Sequence, residues 1–189
     1  MKDIAIYILA GGNSSRMGED KCLLPYRGHT LLEEIIDMAK VLSPNIYLVS
    51  QNPAHEHFGI PMIHDLIPKQ GPVGGIDAIL QQSKFTYNVI VSCDMPFVNS
   101  SGLQLLLDAV VSHQIALFEN TEAPIIFPMV VHKNCCDTWR ALLLSQVRKM
   151  REVISTFDST FVNASSLLEK NVRFFENINT PDDYQSIKS

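Results

Sequence analysis

The sequence has little that would point to nucleic acid, membranes or secretion. Charged residues make up 19% of its 189 residues and the net charge is −5, so no basic surplus favours nucleic acid or an anionic membrane as a partner. The first apolar run is broken at Gly11, too early for a membrane span or a signal peptide. No internal repeat, low-complexity tract or linker divides the chain. We therefore expect a single cytoplasmic domain over residues 1–189.

Cysteine is also scarce. The chain has four cysteines, Cys22, Cys93, Cys135 and Cys136, without a Cys-x-x-Cys pair or the paired spacing typical of zinc sites. We therefore expect four reduced thiols with a structural role.

Two common nucleotide-binding signatures and the usual nucleophile motifs are missing as well. Gly-x-Gly-x-x-Gly does not occur, and no Gly-Lys-Ser or Gly-Lys-Thr closes a phosphate loop, which argues against a Rossmann dehydrogenase and a P-loop ATPase. No Ser-His-Asp or Cys-His arrangement is recognisable.

A glycine-rich segment follows the first apolar run. Residues 4–9 are short, β-branched and almost all apolar, which predicts a parallel strand buried on both faces. Gly11 and Gly12 come directly after it and let backbone N–H groups converge on an anion, because glycine has no side chain to block the approach. Arg16 and Lys21 add positive charge to these amides. The segment predicts a polyphosphate site, with a glycine-rich turn and solvated cations as the alternative.

Apolar strands alternate with amphipathic helical segments along the rest of the chain. This alternation predicts an α/β fold with three α/β/α layers around a mostly parallel, doubly wound sheet. The predicted strands are residues 4–9, 45–50, 60–63, 87–93, 115–118, 125–132 and 172–175. The predicted helices are residues 30–42, 71–81, 100–112, with Ser100 as a capping residue, 135–144 and 180–187.

Two aspartates come at the ends of predicted strands. Because ligands of open α/β sheets bind outside the carboxyl ends of the strands, one site can gather Asp65, Asp94 and residues 9–11. Asp94 suits Mg²⁺, which takes one or two carboxylates together with substrate phosphates. The alternative for Asp94 is a turn residue whose carboxylate bonds its own backbone ahead of Pro96.

Segments near both ends and in the middle of the chain match the motif blocks of one family, in the same order. They are residues 9–12 with 16–18 and 21, residues 71–76, residues 92–97 and residues 177–183. These segments resemble the corresponding blocks of the molybdenum cofactor guanylyltransferases, nucleotidyltransferases with the glycosyltransferase-A-like (nucleotide-diphospho-sugar transferase) fold. The resemblance covers the whole domain rather than one loop.

The resemblance implies a Mg²⁺-dependent transfer of GMP from GTP to molybdopterin bearing molybdenum, with Mn²⁺ as a possible substitute and pyrophosphate as the second product. It implies Asp94 as the metal ligand and a catalytic set of Arg16, Lys21 and Asp94. It implies pterin contacts from Asn177 and Asn179, and nucleotide contacts from Leu9, Ala10, Gly11, Gly12, Lys21, Ser50, Asp65, Gly71, Gly74 and Asp94. A molybdenum-insertion protein and molybdoenzyme clients are the implied protein partners.

Guanine selection is also implied by the resemblance. Gly11 stands where cytidylyl relatives more often have alanine, which leaves room for a purine, and Asp65 would accept hydrogen bonds from guanine N1 and N2. The alternatives are a plain turn role for Asp65, a tight structural turn for residues 71–75, and hydrogen bonding at a helix entry for Asn177 and Asn179.

The chain departs from the family pattern at two places. Ser50 stands where the family often has asparagine, and Phe127 where the family has histidine before proline. These departures affect the expected pterin side of the site more than the nucleotide side. A cytidylyl- or sugar-phosphate nucleotidyltransferase with the same phosphate loop is an alternative function, as is a non-catalytic GTP-binding protein that delivers the cofactor.

Overall fold

Seven strands form one mixed sheet in the computed structural model, which describes residues 3–11, 20–119 and 125–188. In chain order the strands are β1 (Ile4–Leu9), β2 (Pro25–Tyr26), β3 (His29–Thr30), β4 (Ile46–Val49), β5 (Met62–Ile63), β6 (Tyr87–Ser92), β7 (Ile115–Glu119), β8 (Ile125–His132) and β9 (Ser159–Asn163). The order across the sheet is β5-β4-β1-β6-β8-β7-β9, and β2 and β3 form a separate hairpin.

The half of the sheet that carries the predicted site is parallel. β1 pairs in parallel with β4 and β6, and β4 pairs in parallel with β5, whereas β8 runs antiparallel to β6 and β7. Leu9 is level with Val49 on one side and with Ser92 on the other, and Val49 is level with Ile63. The carboxyl ends of the four parallel strands therefore meet at one edge of the sheet.

Helices cover both faces of the sheet. They are α1 (Leu31–Lys40), α2 (Gly71–Gln82), α3 (Ser100–Ala109), α4 (Cys136–Leu144), α5 (Met150–Ile154), α6 (Ser165–Lys170) and α7 (Pro181–Lys188). Ile6 and Ile8 of β1 pack in one core with α1 and α3, and Ala5 and Tyr7 pack in a second core with α2, α4 and α5. This explains why β1 is apolar at nearly every position, and it confirms the predicted three-layer, doubly wound architecture.

Two helix starts show how the sequence sets the boundaries. The Thr30 hydroxyl accepts from Glu33 N at 3.2 Å while the Glu33 carboxylate accepts from Thr30 N at 2.7 Å, which is a capping box at the start of α1. Thr180 and Asp183 exchange the equivalent hydrogen bonds at the start of α7. For α3 the predicted cap, Ser100, is wrong: the preceding Asn99 accepts from Gly102 N at 2.9 Å.

The predicted last strand is wrong. Residues 172–175 form a turn, and within it Phe174 is fully buried over Gly102, where the ring takes the space of a missing Cβ. The edge strand is instead β9, which pairs with β7. Its residues are partly or fully exposed, so it lacks the apolar run that marks a buried strand. The short helices α5 and α6 were likewise not predicted.

Cysteine pairing differs from the expectation of four reduced thiols. Cys22 and Cys93 form a disulfide that joins positions 71 residues apart, and their Cα atoms are 5.9 Å apart. Cys spacing could not reveal this pair because β1 and β6 bring it together. Cys135 and Cys136 are free thiols, and burial raises the pKa of Cys135 to about 12, which keeps it protonated at neutral pH.

Within the described ranges, no helix is both long and apolar enough to cross a membrane.

Candidate active site

Backbone hydrogen bonds hold the strand ends of the predicted site together. Ala10 N donates to Val49 O at 3.0 Å, Ser50 N to Ile63 O at 3.1 Å, and Cys93 N to Leu9 O at 3.1 Å. Each bond extends the parallel ladder by one residue beyond the strand. The sheet therefore brings Ala10, Gly11, Ser50 and Asp94 to one edge.

The central contact is an ion pair between Lys21 and Asp94. Lys21 Nζ lies 2.5 Å from Asp94 Oδ2 and 3.4 Å from Asn179 Oδ1. The side chains of Lys21 and Asp94 are 21% and 11% exposed, so the pair is only partly screened by water. Three of the predicted site residues, from three separate motif blocks, thus converge at one point.

Asp94 has the surroundings of a metal ligand. Its Oδ1 atom is buried and finds no hydrogen-bond donor among the described residues. A buried carboxylate oxygen without a donor is costly, and a divalent cation that prefers oxygen ligands would satisfy it. The turn after β6 is closed by its backbone, with Met95 N donating to Ser92 O at 3.3 Å, and neither oxygen of the carboxylate accepts from a backbone N–H of the described residues. The residues present fit Mg²⁺.

The loop before α7 is tied to the same point. Ile178 N donates to the backbone oxygen of Asp94 at 2.8 Å, which places Asn179 beside Lys21. Helix entry uses the backbone of Asn179, whose N–H donates to Asp183 Oδ2 at 2.9 Å, and leaves its side chain directed at Lys21. Asn177 is exposed on the same loop.

Asp65 faces the start of α2 across the sheet edge. A Cβ built on Gly75 would lie 3.8 Å from Asp65 Oδ1 and 3.5 Å from Leu9 Cδ2, so these groups approach the same space. Burial raises the pKa of the Asp65 carboxyl, and the nearby charge of His64 partly opposes that rise. A half-buried carboxylate here can accept hydrogen bonds from a ligand lying over Leu9.

The glycines at the start of α2 have structural reasons. Gly71 has a φ of +60°, which favours glycine, and a Cβ on Gly74 would lie 2.5 Å from Gln70 Cβ. The first turn is held from α4 by Trp139, whose indole N–H donates to Val73 O at 2.9 Å. These contacts support the tight-turn alternative for residues 71–75, and nucleotide contacts by Gly71 and Gly74 stay predictions.

Gly11 lies against β4. A Cβ at this position would be 3.4 Å from Val49 O and 3.8 Å from Ser50 Cα. Ser50 is buried, and its Oγ accepts from Asn52 N at 3.0 Å and lies 2.8 Å from His55 Nδ1. The Ser50 hydroxyl is thus engaged within the protein. Gly12 and Arg16 lie outside the described residues, and their roles stay predictions.

Sequence reasoning missed a polar network behind Lys21. Asp20 Oδ2 accepts from Asn52 Nδ2 at 2.6 Å and lies 3.0 Å from His55 Nε2. No motif marks these residues, because they lie in two loops that only the pairing of β1 with β4 brings together. Asp20, Cys22 and His55 place ligand atoms within 4.8 Å of one another, but the disulfide of Cys22 removes its thiolate as a metal ligand.

Two cavities lie in this part of the molecule. A narrow one of about 60 Å³ is lined by Leu9, Ala10, Gly11, Asp20, Lys21, Cys22, Ser92 and Cys93. A wider one of about 310 Å³ lies between the β2–β3 hairpin and α7 and is lined by Arg27, Phe97, Arg173 and their neighbours. The wider cavity contains none of the predicted site residues, so the chemistry points to the narrow one.

Comparison with known sequences gives the family. Residues 6–161 match the family described as MobA-like NTP transferase domain. The chain is 31% identical over 188 residues to the probable molybdenum cofactor guanylyltransferase of Clostridium perfringens strain 13, which covers 95% of this chain and 93% of that relative. It is 37% identical over 118 residues to the molybdenum cofactor guanylyltransferase of Xanthomonas euvesicatoria pv. vesicatoria, which covers 62% of this chain and 60% of that relative.

Solved structures share the fold. Molybdopterin-guanine dinucleotide biosynthesis protein A from Archaeoglobus fulgidus has a TM-score of 0.83 at 22% identity, over 97% of this chain and 96% of that chain. The 4-diphosphocytidyl-2C-methyl-D-erythritol synthase of Anaerococcus prevotii has a TM-score of 0.72 at 12% identity, over 98% of this chain and 96% of that chain. The predicted nucleotide-diphospho-sugar transferase fold is confirmed. The chain belongs to the family of MobA-like NTP transferase domains and is a nucleotidyltransferase.

Proposed function

We propose that this nucleotidyltransferase joins GMP from GTP to molybdopterin bearing molybdenum and releases pyrophosphate. The observation that carries the proposal is the Lys21–Asp94 pair at 2.5 Å, beside the buried Oδ1 of Asp94, for which the described residues offer no donor. The pair lies at the carboxyl edge of the parallel strands. The chain is 31% identical, over 95% of its length, to a probable molybdenum cofactor guanylyltransferase.

The proposed reaction needs alignment and charge neutralisation more than a general base. The nucleophile is an oxygen of the terminal phosphate of molybdopterin, which is largely dianionic at neutral pH because its second pKa is about 6. That oxygen bonds to the α-phosphorus of GTP as the bond to the bridging α,β-oxygen breaks, and pyrophosphate leaves with the electron pair. Lys21 stabilises the charge that develops on the phosphates, with Arg16 proposed as a second cation.

Asp94 is the proposed ligand for Mg²⁺, or for Mn²⁺ in its place. When bound, the divalent ion supplies charge neutralisation between the nucleotide phosphates. Lys21 then has a second role, because in the described structure it neutralises Asp94 directly. If Asp94 held a divalent ion, Lys21 would be available to the nucleotide phosphates, and the partly buried Asp94 carboxylate would still have a cationic partner.

Asp65, which follows β5 at the carboxyl edge of the sheet, is the residue proposed to recognise guanine. Its half-buried carboxylate accepts from guanine N1–H and N2–H, a pair of donors that adenine lacks. Gly11 is proposed to lie beside the base, and a Cβ at this position would make only an ordinary contact of 3.4 Å with Val49 O. The remaining nucleotide contacts are proposed for Leu9, Ala10, Gly12, Ser50, Gly71 and Gly74.

The pterin is proposed to approach from the opposite side of Lys21. Asn179 is 3.4 Å from Lys21 Nζ, and its loop is bonded to Asp94 after β6, whereas Asp65 follows β5 on the other side of β1. Asn177 is exposed two residues before Asn179. A molybdenum-insertion protein and molybdoenzyme clients are the proposed protein partners. We infer a cytoplasmic location from the expected substrates, because GTP is an intracellular nucleotide.

The test is a product assay with competing nucleotides. Purified protein is incubated with molybdenum-bearing molybdopterin, Mg²⁺ and GTP, CTP or ATP, and both pyrophosphate and the dinucleotide mass are measured. We expect product from GTP at least tenfold faster than from CTP, a difference of about 1.4 kcal/mol that one base hydrogen bond can supply. A CTP preference would indicate the cytidylyl alternative. GTP binding without pyrophosphate release would indicate a delivery protein.

A further inference from the structure

His55 is a buried titratable side chain that the proposed chemistry does not use. It lies on the short 3-10 helix Pro53–Phe58 that follows β4, and it is 0% exposed. Both of its ring nitrogens have polar partners. Nδ1 lies 2.8 Å from Ser50 Oγ, and Nε2 lies 3.0 Å from Asp20 Oδ2.

One hydrogen bond of His55 has a fixed direction. A carboxylate oxygen accepts, so Nε2 donates to Asp20 Oδ2 across 3.0 Å. On the other side of the ring, Nδ1 shares a hydrogen bond with Ser50 Oγ, which also accepts from Asn52 N at 3.0 Å. The strand end at Ser50 is thereby connected to Asp20 through the imidazole.

Asp20 links His55 to the backbone segment that carries Lys21. Its Oδ1 accepts from Cys22 N at 3.0 Å and so caps the 3-10 helix Lys21–Leu23. Its Oδ2 is held by His55 and by Asn52 Nδ2, which is 2.6 Å away. The carboxylate is therefore fixed on both oxygens, and the backbone that carries Lys21 is fixed with it.

We propose that His55 is a positioning residue that, through Asp20, holds Lys21 at the point where it meets Asp94 and the nucleotide phosphates. The kinetic part of this proposal rests on the proposed guanylyl transfer, whereas the placement of Lys21 does not. Among the described residues of the proposed nucleotide site, His55 forms a hydrogen bond with Ser50 only, and its link to Lys21 runs through Asp20. A displacement of about 1 Å at a charged catalytic group can cost on the order of 100-fold in rate.

A matched pair of variants isolates the hydrogen bond from the packing. His55→Met fills a similar volume but cannot donate to Asp20, and His55→Gln keeps an N–H group that can. We expect His55→Met to lower kcat about 30-fold, with less than a threefold change in KM for GTP, and His55→Gln to recover at least tenfold of that loss. His57→Ala is the control, because His57 lies on the same 3-10 helix but is exposed. Equal kcat values for the Met and Gln variants would overturn the proposal.

A second readout does not depend on turnover. The amine-acylation rate of Lys21, followed by peptide mass spectrometry without nucleotide, should rise severalfold in His55→Met and stay at the wild-type value in His57→Ala. An unchanged rate in His55→Met would overturn the positioning role even if the wild type makes no dinucleotide. If wild-type turnover is absent but labelling rises, only the proposed function fails.

Asp20→Asn tests the same link from its other end and serves if both His55 variants unfold. It keeps an oxygen for the Cys22 cap but replaces the acceptor of the His55 bond with a donor. We expect the same rise in Lys21 labelling, and the double variant with His55→Met should label no faster than either single variant. Additive increases would show that the two residues act independently and would contradict the proposal.

Discussion

Lys21 and Asp94, which are 73 positions apart in the sequence, form an ion pair with 2.5 Å between Nζ and Oδ2. Lys21 lies in the short helix that follows the glycine-rich segment, and Asp94 lies two residues after β6. The pair joins the cation expected to bind phosphate to the carboxylate expected to bind metal. Its partial burial means that removal of either partner leaves a poorly solvated charge behind.

Asp94→Asn should abolish GMP transfer, with a loss of at least 1000-fold in kcat, because an amide oxygen is a poor substitute for a metal-binding carboxylate. The fold should persist, since Asn keeps the shape of the side chain and the backbone bond from Ile178 N to Asp94 O. Pyrophosphate release and thermal unfolding measure the two effects. Asp182→Asn, an exposed acid at the start of α7, is the control. Undiminished turnover in Asp94→Asn would remove the metal assignment.

Asp65→Asn should weaken GTP binding about 30-fold, because hydrogen bonds to a charged acceptor are worth about 2 kcal/mol. The same change should raise stability at pH 7. Burial raises the pKa of folded Asp65, so its contribution to stability is present below its unfolded pKa and is lost as pH rises through the folded value. Calorimetry with GTP tests the expected loss of affinity, and urea unfolding tests the expected gain in stability. A loss of both affinity and stability would indicate a structural role for Asp65.

The raised pKa of the Asp65 carboxyl also predicts how GTP affinity depends on pH. Guanine donors favour ionised Asp65, so wild-type affinity should fall as pH drops through the raised pKa, at a higher pH than for an ordinary aspartate. Asp65→Asn should lose this dependence. Inosine triphosphate, which lacks the N2 amino group, should bind the wild type about tenfold more weakly than GTP. The Asp65→Asn variant should bind the two nucleotides with equal affinity. Retained discrimination in Asp65→Asn would place guanine recognition elsewhere.

Two neighbouring glycines in α2 should respond differently to alanine. Gly74→Ala forces a Cβ to within 2.5 Å of Gln70 Cβ and should lower the free energy of unfolding by about 1–3 kcal/mol. Gly75→Ala meets only ordinary contacts of 3.5–3.8 Å, so stability should hold, but the methyl group intrudes beside Asp65 and should weaken GTP binding. Urea unfolding and calorimetry separate the two, and equal stability of the variants would contradict the packing argument.

Cys22→Ser should destabilise the protein, because the disulfide with Cys93 closes a long loop in the unfolded chain. The expected loss is about 4 kcal/mol, and reduction of the wild type should have the same effect. Cys136→Ser, which removes a free thiol, is the control. If reduced and oxidised wild-type protein unfold at the same urea concentration, the pair does not form in solution.

Prediction from sequence worked where a local pattern decides the local structure. Buried parallel strands are short apolar runs, so β1, β4 and β6 were placed within about a residue, and the amphipathic pattern placed the start of α1 one residue before its first helical residue. It failed at β9, where an edge strand with exposed residues has no such run. It also failed at residues 172–175, whose apolar side chains fill the core from a turn.

By itself the sequence determined the doubly wound α/β class and the placement of Asp65, Asp94 and the glycine-rich segment at strand ends, because these depend on neighbouring residues. Only the tertiary structure decided which side chains meet: Lys21 with Asp94, Cys22 with Cys93, and His55 with Asp20. The physical reason is that each of these contacts depends on the order and register of parallel strands. That register places residues level with one another that are dozens of positions apart in the chain.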